Sequence, residues 1–346
     1  MRYPGSRPSR YLKKEKGFKQ VRYLAVKKTA VAVFFVLLCG AAVALDFREI
    51  KEFEPKYYSE TGIIKDGCLL ARWERKTLFH KDIFVKDGEW KRARRFNPRG
   101  FFITFHRPEE TVKADKFSVM SPFMAEGGLY GAFTLSLGSV NSSIAVVDMK
   151  KNRVIYSAEL VQSLKAGIPG ISMERVMFGA SVTPDGAYAV CDSFDREGKR
   201  MVYYIDTMAK KEFRIENAAL GRAGGGHVYY IKYETGKEGS AAARQPLDGS
   251  GTEEELFQID GGAIGIEYEA GAAYVITDRG VYAHRPDKKG ANEKIYDFSK
   301  LSVGYEVFNV EMAFSGNREG ISYLLIVVKR YDKGMYSWMI YGAPLQ

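Results

Sequence analysis

The residue types able to do chemistry are present in this chain, but not in the patterns that chemistry needs. A serine hydrolase places its nucleophile in G-x-S-x-G on a strand-to-helix elbow, and no such string occurs. The four histidines, His80, His106, His227 and His284, stand at least 26 residues apart, with no pair at i, i+4 and no HExxH, so each reads as a strand or surface residue rather than a metal ligand. Asp192 and Asp195 in CDSFDREG are able to meet Ca²⁺, yet they lack the dense oxygen ladder and distal Glu of a calcium loop. Gly221 and Gly224-Gly225-Gly226 form no G-x-G-x-x-G and precede no helix, which makes them a turn rather than a phosphate cradle. Asn141-Ser142-Ser143 is a formal N-glycosylation sequon and carries no catalytic chemistry. No catalytic, cofactor or metal residue is assigned. A pair of acid/base carboxylates contributed by distant segments has no spacing rule, so that chemistry stays open.

The elements that would position any site follow from a repeated turn. Val182-Thr183-Pro184-Asp185-Gly186-Ala187-Tyr188-Ala189-Val190 reads as a strand, a type I turn and a second strand. Pro184 presets φ for the second turn position, Asp185 holds its own backbone through an Asx bond, and Gly186 takes the positive φ that re-enters a strand. Glycine turns followed at once by an apolar run recur at Gly67, Gly100, Gly128, Gly226, Gly271 and Gly320. The seven anchors are about 42 residues apart on average, the period of a four-stranded propeller blade. The expected fold is therefore an all-β propeller of seven four-stranded blades. Six is the alternative, because the 28 residues from Gly100 to Gly128 are too few for a blade.

Within the repeats, Ile144-Ala145-Val146-Val147 is expected to be buried on both faces. Lys81–Lys86 and Glu89–Arg95 are expected to form a hairpin around Asp87-Gly88. Only 26 residues follow Gly320, too few for a whole blade, so the missing strand is expected from Phe47–Tyr58 or from Gly62–Lys65. Residues 161–173, VQSLKAGIPGISM, form an insertion broken at Pro169-Gly170, and are the first candidate recognition surface. Cys39 lies in an apolar run, and Cys68 and Cys191 sit in different repeats as unpaired, buried small hydrophobes.

The formal charge of +10 is concentrated at one end: residues 1–28 carry +9 and everything after residue 45 only +1. The body therefore has no charge signal for nucleic acid. Behind this basic stretch, Thr29–Leu45 is uncharged and apolar and ends in Ala42-Val43-Ala44, the layout of an export signal or, if uncleaved, of a membrane anchor. The organisation expected is a cytoplasmic basic region over 1–28, a signal peptide or transmembrane segment over 29–45, a linker or edge strand over 46–60, and the propeller over 61–346. Positive residues stay inside, which places the propeller outside the inner membrane.

Thr183-Pro184-Asp185-Gly186-Ala187-Tyr188-Ala189-Val190 and, less closely, Asn97-Pro98-Arg99-Gly100-Phe101-Phe102-Ile103 resemble the WD40-like "PD40" repeats of TolB-type bacterial periplasmic propellers. The resemblance implies a non-catalytic, protein-binding propeller in the envelope, without cofactors and with an envelope protein as partner. Two alternatives remain beside it. One is a sensor of a small ligand or glycan in the central funnel. The other is a hydrolase or lyase with a cross-blade carboxylate pair, which predicts two carboxylates within reach of each other and a raised pKa there.

Overall fold

The turn at Pro184 has the conformation its residues dictate. In the computed structural model, Gly186 N donates to Thr183 O at 2.9 Å, Ala187 N donates to Asp185 Oδ1 at 3.0 Å, and Gly186 has φ +75°. Thr183 Oγ1 adds a bond to Asp185 Oδ1 at 2.6 Å and accepts Tyr188 N at 3.0 Å. Burial alone would raise the Asp185 pKa, but the bonds from Thr183 and Ala187 outweigh it and hold the carboxylate ionised. Three equivalent turns need only two residues: Gly225-Gly226, Ala270-Gly271 and Glu319-Gly320 each have φ positive at both positions, the type I′ geometry whose twist matches the flanking strands.

The chain divides into two units, Met1–Ala44 and Leu45–Gln346. The structure describes residues 45–53, 61–64, 68–74, 77–85, 87–95, 117–124, 130–137, 141–148, 150–151, 153–161, 180–194, 199–233, 239–286, 292–301, 307–332 and 335–345. The basic region, residues 29–44 of the apolar run with Cys39, His106, Asp195, the Pro98 motif and insertion residues 162–173 lie outside them. Among the described residues no helix is long and apolar enough to cross a membrane.

The described residues hold twenty-four strands, which form six blades of four. Blade 1 is β2 (Thr61–Ile64), β3 (Leu69–Glu74), β4 (Thr77–Asp82) and β5 (Lys91–Arg95). Blade 2 is β6 (Phe117–Met124), β7 (Tyr130–Leu137), β8 (Asn141–Asp148) and β9 (Arg153–Val161). Blade 3 is β10 (Ala180–Val182), β11 (Tyr188–Phe194), β12 (Arg200–Asp206) and β13 (Lys211–Glu216). Blade 4 is β14 (Ala218–Gly224), β15 (His227–Tyr233), β16 (Ser240–Pro246) and β17 (Glu254–Ile259). Blade 5 is β18 (Ala263–Glu269), β19 (Ala272–Thr277), β20 (Gly280–His284) and β21 (Asn292–Asp297). Blade 6 joins β22 (Val307–Arg318), β23 (Ile321–Asp332) and β24 (Met335–Leu345) to the N-terminal β1 (Arg48–Phe53), in the order β22-β23-β24-β1. The first strand of the described chain thus completes the last blade, with Arg48 opposite Gly342 and Phe53 opposite Trp338. Blades 1 and 2 share one eight-stranded sheet because their inner strands β2 and β6 touch in parallel at Ile63–Phe123 and Ile64–Met124.

The count is six, not seven. Six of the glycine anchors lie between the first two strands of a blade, whereas Gly100 falls between β5 and β6, outside the described residues and outside any blade's first hairpin. A glycine before an apolar run is a local signal that a connector carries as readily as a hairpin. The expected Asp87-Gly88 hairpin is also corrected: β4 stops at Asp82, whose Oδ1 accepts Phe84 N at 2.8 Å and turns the chain four residues early.

Apolar middle strands pack face to face between blades. Ile144, Ala145, Val146 and Val147 are all buried, as are Val202 to Ile205. One face of blade 3 (Cys191, Tyr203, Ile205) meets blade 2, and the other (Val190, Val202, Tyr204) meets blade 4. Ring closure is apolar too, with Cys68, Leu70 and Ile83 of blade 1 against Leu325, Val327 and Ile340 of blade 6. Leu45 and Phe47, just ahead of β1, are buried between blades 5 and 6. Both described cysteines are free of disulfides and buried; burial first, then the neighbouring Asp192 charge, pushes the Cys191 thiol up.

Candidate functional site

Two places gather side chains that chemistry or recognition would use. The first lies on the inner strands. Arg222 on β14 donates through Nε to Ile266 O at 2.9 Å and pairs through Nη2 with Glu267 Oε1 of β18 at 2.9 Å. Ser315 on β22 donates to the other carboxylate oxygen, Oε2, at 2.9 Å, and Arg222 Nη1 reaches Ala180 O of β10 at 3.5 Å. The inner strands of blades 3, 4, 5 and 6 are thereby tied in series. Asp192 of β11 joins from blade 3, its Oδ1 accepting Gly221 N at 3.0 Å. Burial raises the Asp192 pKa to about 6, with bonds from the Gly221 and Leu220 amides and the charges of Arg222 and Arg200 pulling the other way.

Two carboxylates around one guanidinium, one of them with a raised pKa, is the arrangement the cross-blade acid/base alternative predicts. One member of the pair, Glu267, is closed to that role. Glu267 is 0% exposed, and each of its oxygens is already bonded, one to Arg222 and one to Ser315. A general acid or base must present an oxygen to substrate. A carboxylate enclosed and doubly bonded in this way instead holds strands together, and its cost of burial is offset by those partners.

The remaining sequence candidates are dispersed. His80, His227 and His284 stand on blades 1, 4 and 5. Burial and Lys91 lower the His80 pKa, the His227 ring lies 2.9 Å from Gly225 O, and His284 packs near Tyr229. Among the described residues no three His, Cys, Asp or Glu side chains cluster as metal ligands. Gly224, which ends β14, and Gly225, which opens the turn, lie against the Tyr268 ring, leaving no space for a Cβ at Gly224. Asn141 of the sequon begins β8 rather than lying in a loop.

The second place gives no signal in the sequence. On β23 and β24, Tyr331 pairs with Tyr336 and Lys329 with Trp338, so four side chains project from one face of blade 6. The Tyr331–Tyr336 ring centroids are 5.0 Å apart and the Tyr336–Trp338 centroids 6.4 Å. Lys329 Nζ lies 4.5 Å from the Tyr336 centroid and 5.4 Å from that of Trp338. Glu311 binds both neighbours, accepting Trp338 Nε1 at 2.8 Å and pairing with Lys329 at 3.6 Å. Tyr331 is 42% exposed, Tyr336 59%, and Met335 beside the turn 74%. The strand pattern alone marks these aromatics as core. Among the described residues, Trp338 packs against the apolar cluster shared with blade 1, and Tyr331, Met335 and Tyr336 are not part of that cluster.

The patch occupies one end of the propeller. In each blade the first-to-second and third-to-fourth connections fall at one end, which we term the turn end, and the second-to-third and blade-to-blade connections at the other, the connector end. The β23–β24 hairpin belongs to the connector end. The turn end is built from the tight glycine turns and from Asp-capped turns: Asp148 Oδ1 accepts Lys151 N at 2.8 Å, Asp206 Oδ1 accepts Ala209 N at 2.7 Å, and Asp248 Oδ1 accepts Ser250 N at 2.9 Å. With Asp82, these form a second repeat at the close of the third strand, which a search for glycine turns passes over.

The sequence matches no protein-family model, and no curated protein sequence is similar to it. Solved structures similar to this chain include TolB from Acinetobacter baumannii (13% identity over 88% of this chain and 63% of that one, TM-score 0.40). Others are the β-propeller domain of the Trilobed protease from Pyrococcus furiosus (11% identity, 85% and 84% covered, TM-score 0.39) and the Dos1 propeller (12%, 82% and 66%, TM-score 0.44). These likenesses are too remote to speak for function, and the six-bladed propeller is established by the sheet order and the interblade cores of the chain itself.

Proposed function

We propose that this chain is an extracytoplasmic, non-catalytic β-propeller that binds a protein partner in the bacterial envelope. The observation that carries the reading is the exposed aromatic surface of Tyr331 and Tyr336 at the connector end. Tyr and Trp are among the residues enriched where proteins meet, and adjoining exposed aromatic rings are uncommon on a surface without a partner. The inner-strand carboxylate of Glu267, by contrast, is committed to Arg222 and Ser315. Export is supported by the basic region over residues 1–28 and the apolar run over 29–45.

The test is site-specific photo-crosslinking of the full-length protein in its native cells, with p-benzoylphenylalanine in place of Tyr331 or of Met208. Met208 is 81% exposed at a turn-end connection and serves as the control. A discrete heterologous protein adduct from position 331 and none from 208 is expected. No adduct from 331, or the same adducts from both, would overturn the reading. A self-adduct would mean a homo-oligomer, and a lipid adduct a membrane contact; either alone would overturn it too.

A further inference from the structure

We infer that the outer strand of blade 1, β5 (Lys91–Arg95), lies against the anionic headgroups of a lipid bilayer and sets the propeller edge-on to it; this rests on the export part of the reading above. The strand reads Lys-Arg-Ala-Arg-Arg, four cations and no anion in five residues. Lys91 and Arg92 are exposed, and Arg94 and Arg95 continue the strand opposite Leu78 and Thr77.

The other outer strands supply the comparison. By their sequences β1, β9 and β13 are neutral, β17 carries −2 and β21 carries −1. All six outer strands are sheet edges. A charged edge guards against pairing with a foreign strand, but that need is common to all six, and five of them meet it without an excess of cations. The excess extends through blade 1. Residues 61–95 hold ten Lys or Arg against five Asp or Glu, and one of those acids, Asp82, is paired with Arg318 of blade 6 at 3.4 Å. Because everything after residue 45 sums to +1, the chain outside this blade is left at −4.

The path of the chain selects a bilayer among anionic partners. The apolar run ends at Leu45, and Leu45 and Phe47 are buried between blades 5 and 6 just ahead of β1. No free spacer separates the end of the run from the outer strand of blade 6. Ile50 of β1 and Trp90, the residue before Lys91, pack against one apolar cluster shared by blades 1 and 6. The strand that the run leads into and the basic strand therefore belong to neighbouring blades with a common core. Chain connectivity brings a bilayer that holds the run to this side of the ring, where anionic headgroups attract Lys and Arg over about 10 Å at 0.1 M salt. A free acidic protein would have no reason to select the blade beside the anchor.

The experiment places p-benzoylphenylalanine at Glu89, an exposed residue beside β5, or at Met208 of blade 3. The full-length protein is reconstituted in vesicles of phosphatidylcholine with or without phosphatidylglycerol, irradiated, and its lipid adducts are counted by mass spectrometry. At position 89 a lipid adduct is expected in the anionic vesicles, at about ten times the yield from 208 and about ten times that in phosphatidylcholine alone. Lys91→Glu with Arg92→Glu should lower it at least about tenfold, and Lys91→Gln with Arg92→Gln by less, with the urea midpoints of both variants close to the parent's. No lipid adduct at 89, equal yields from 89 and 208, or a yield unchanged by lipid charge or by the reversed charges overturns the inference. A protein adduct at 89 in native cells, without lipid, overturns it as well and assigns the strand to an acidic protein. The adduct at position 331 is read separately. If it persists when the lipid adduct fails, the protein-binding reading stands; a lipid adduct at 89 with nothing at 331 keeps the bilayer contact and removes that reading.

Discussion

The inner-strand network and the blade 6 hairpin are assembled from similar parts and do opposite things. Each pairs a cation with a carboxylate: Arg222 with Glu267 in the first and Lys329 with Glu311 in the second. In the first, the pair is enclosed between blades and its hydrogen bonds run from one inner strand to the next, so the charges serve the ring. In the second, the pair lies beside aromatic rings that face solvent, so the charges hold the rings and leave their surfaces exposed. The same chemistry ties strands together where blades enclose it and holds exposed rings where they do not.

The comparison breaks most readily at Glu267. Glu267→Ala leaves Arg222 and Ser315 without their buried partner and should cost about 3–5 kcal/mol, read as a lowered midpoint in urea unfolding. Unchanged stability would mean that the network does not tie the inner strands. Asp192 sharpens the comparison through pH. Its folded pKa of about 6 lies above the ordinary 3.8, so the folded state binds more protons between those values, and stability falls as pH rises through that window and levels off above it. Asp192→Asn should flatten this dependence and be more stable than the parent by about 2 kcal/mol at pH 8. Urea melts at pH 4.5 and pH 8 would check both, and an unaltered slope would assign the pH dependence elsewhere.

Gly186→Ala should cost about 1–2 kcal/mol, because φ is +75° there and the new Cβ would lie 2.6 Å from the Tyr130 ring of blade 2. A thermal melt matching the parent would show that the turn tolerates a side chain. The smallest effect on stability is expected at Tyr336. Tyr336→Ala should change the unfolding free energy by no more than about 0.5 kcal/mol while abolishing the adduct at position 331. A large loss of stability would place this ring among the structural residues.

Much of the architecture was legible because a propeller repeats local chemistry. Thr183-Pro184-Asp185-Gly186 adopts the turn its residues encode, and the shortage of chain after Gly320 called for an N-terminal strand, which Arg48–Phe53 supplies. The blade count was misread because Gly100 carries the same local signal as a true first hairpin. The aspartates at positions 82, 148, 206 and 248, each capping the turn after a third strand, carry the complementary signal and would have marked blades without counting Gly100.

What the sequence determined by itself is what neighbours in the chain decide: turns from Gly, Pro and Asp, strands from apolar runs, and the separation of a basic, apolar N-terminal segment from a charge-balanced body. What only the tertiary structure decided is which side chains meet and which face water. Arg222 and Glu267 are 45 residues apart and pair because blades 4 and 5 stand side by side. Tyr331 and Tyr336 look like any core aromatics in a strand, and the packed ring leaves them exposed. Burial is a property of the packed ring, and no local pattern encodes where one blade ends relative to the next.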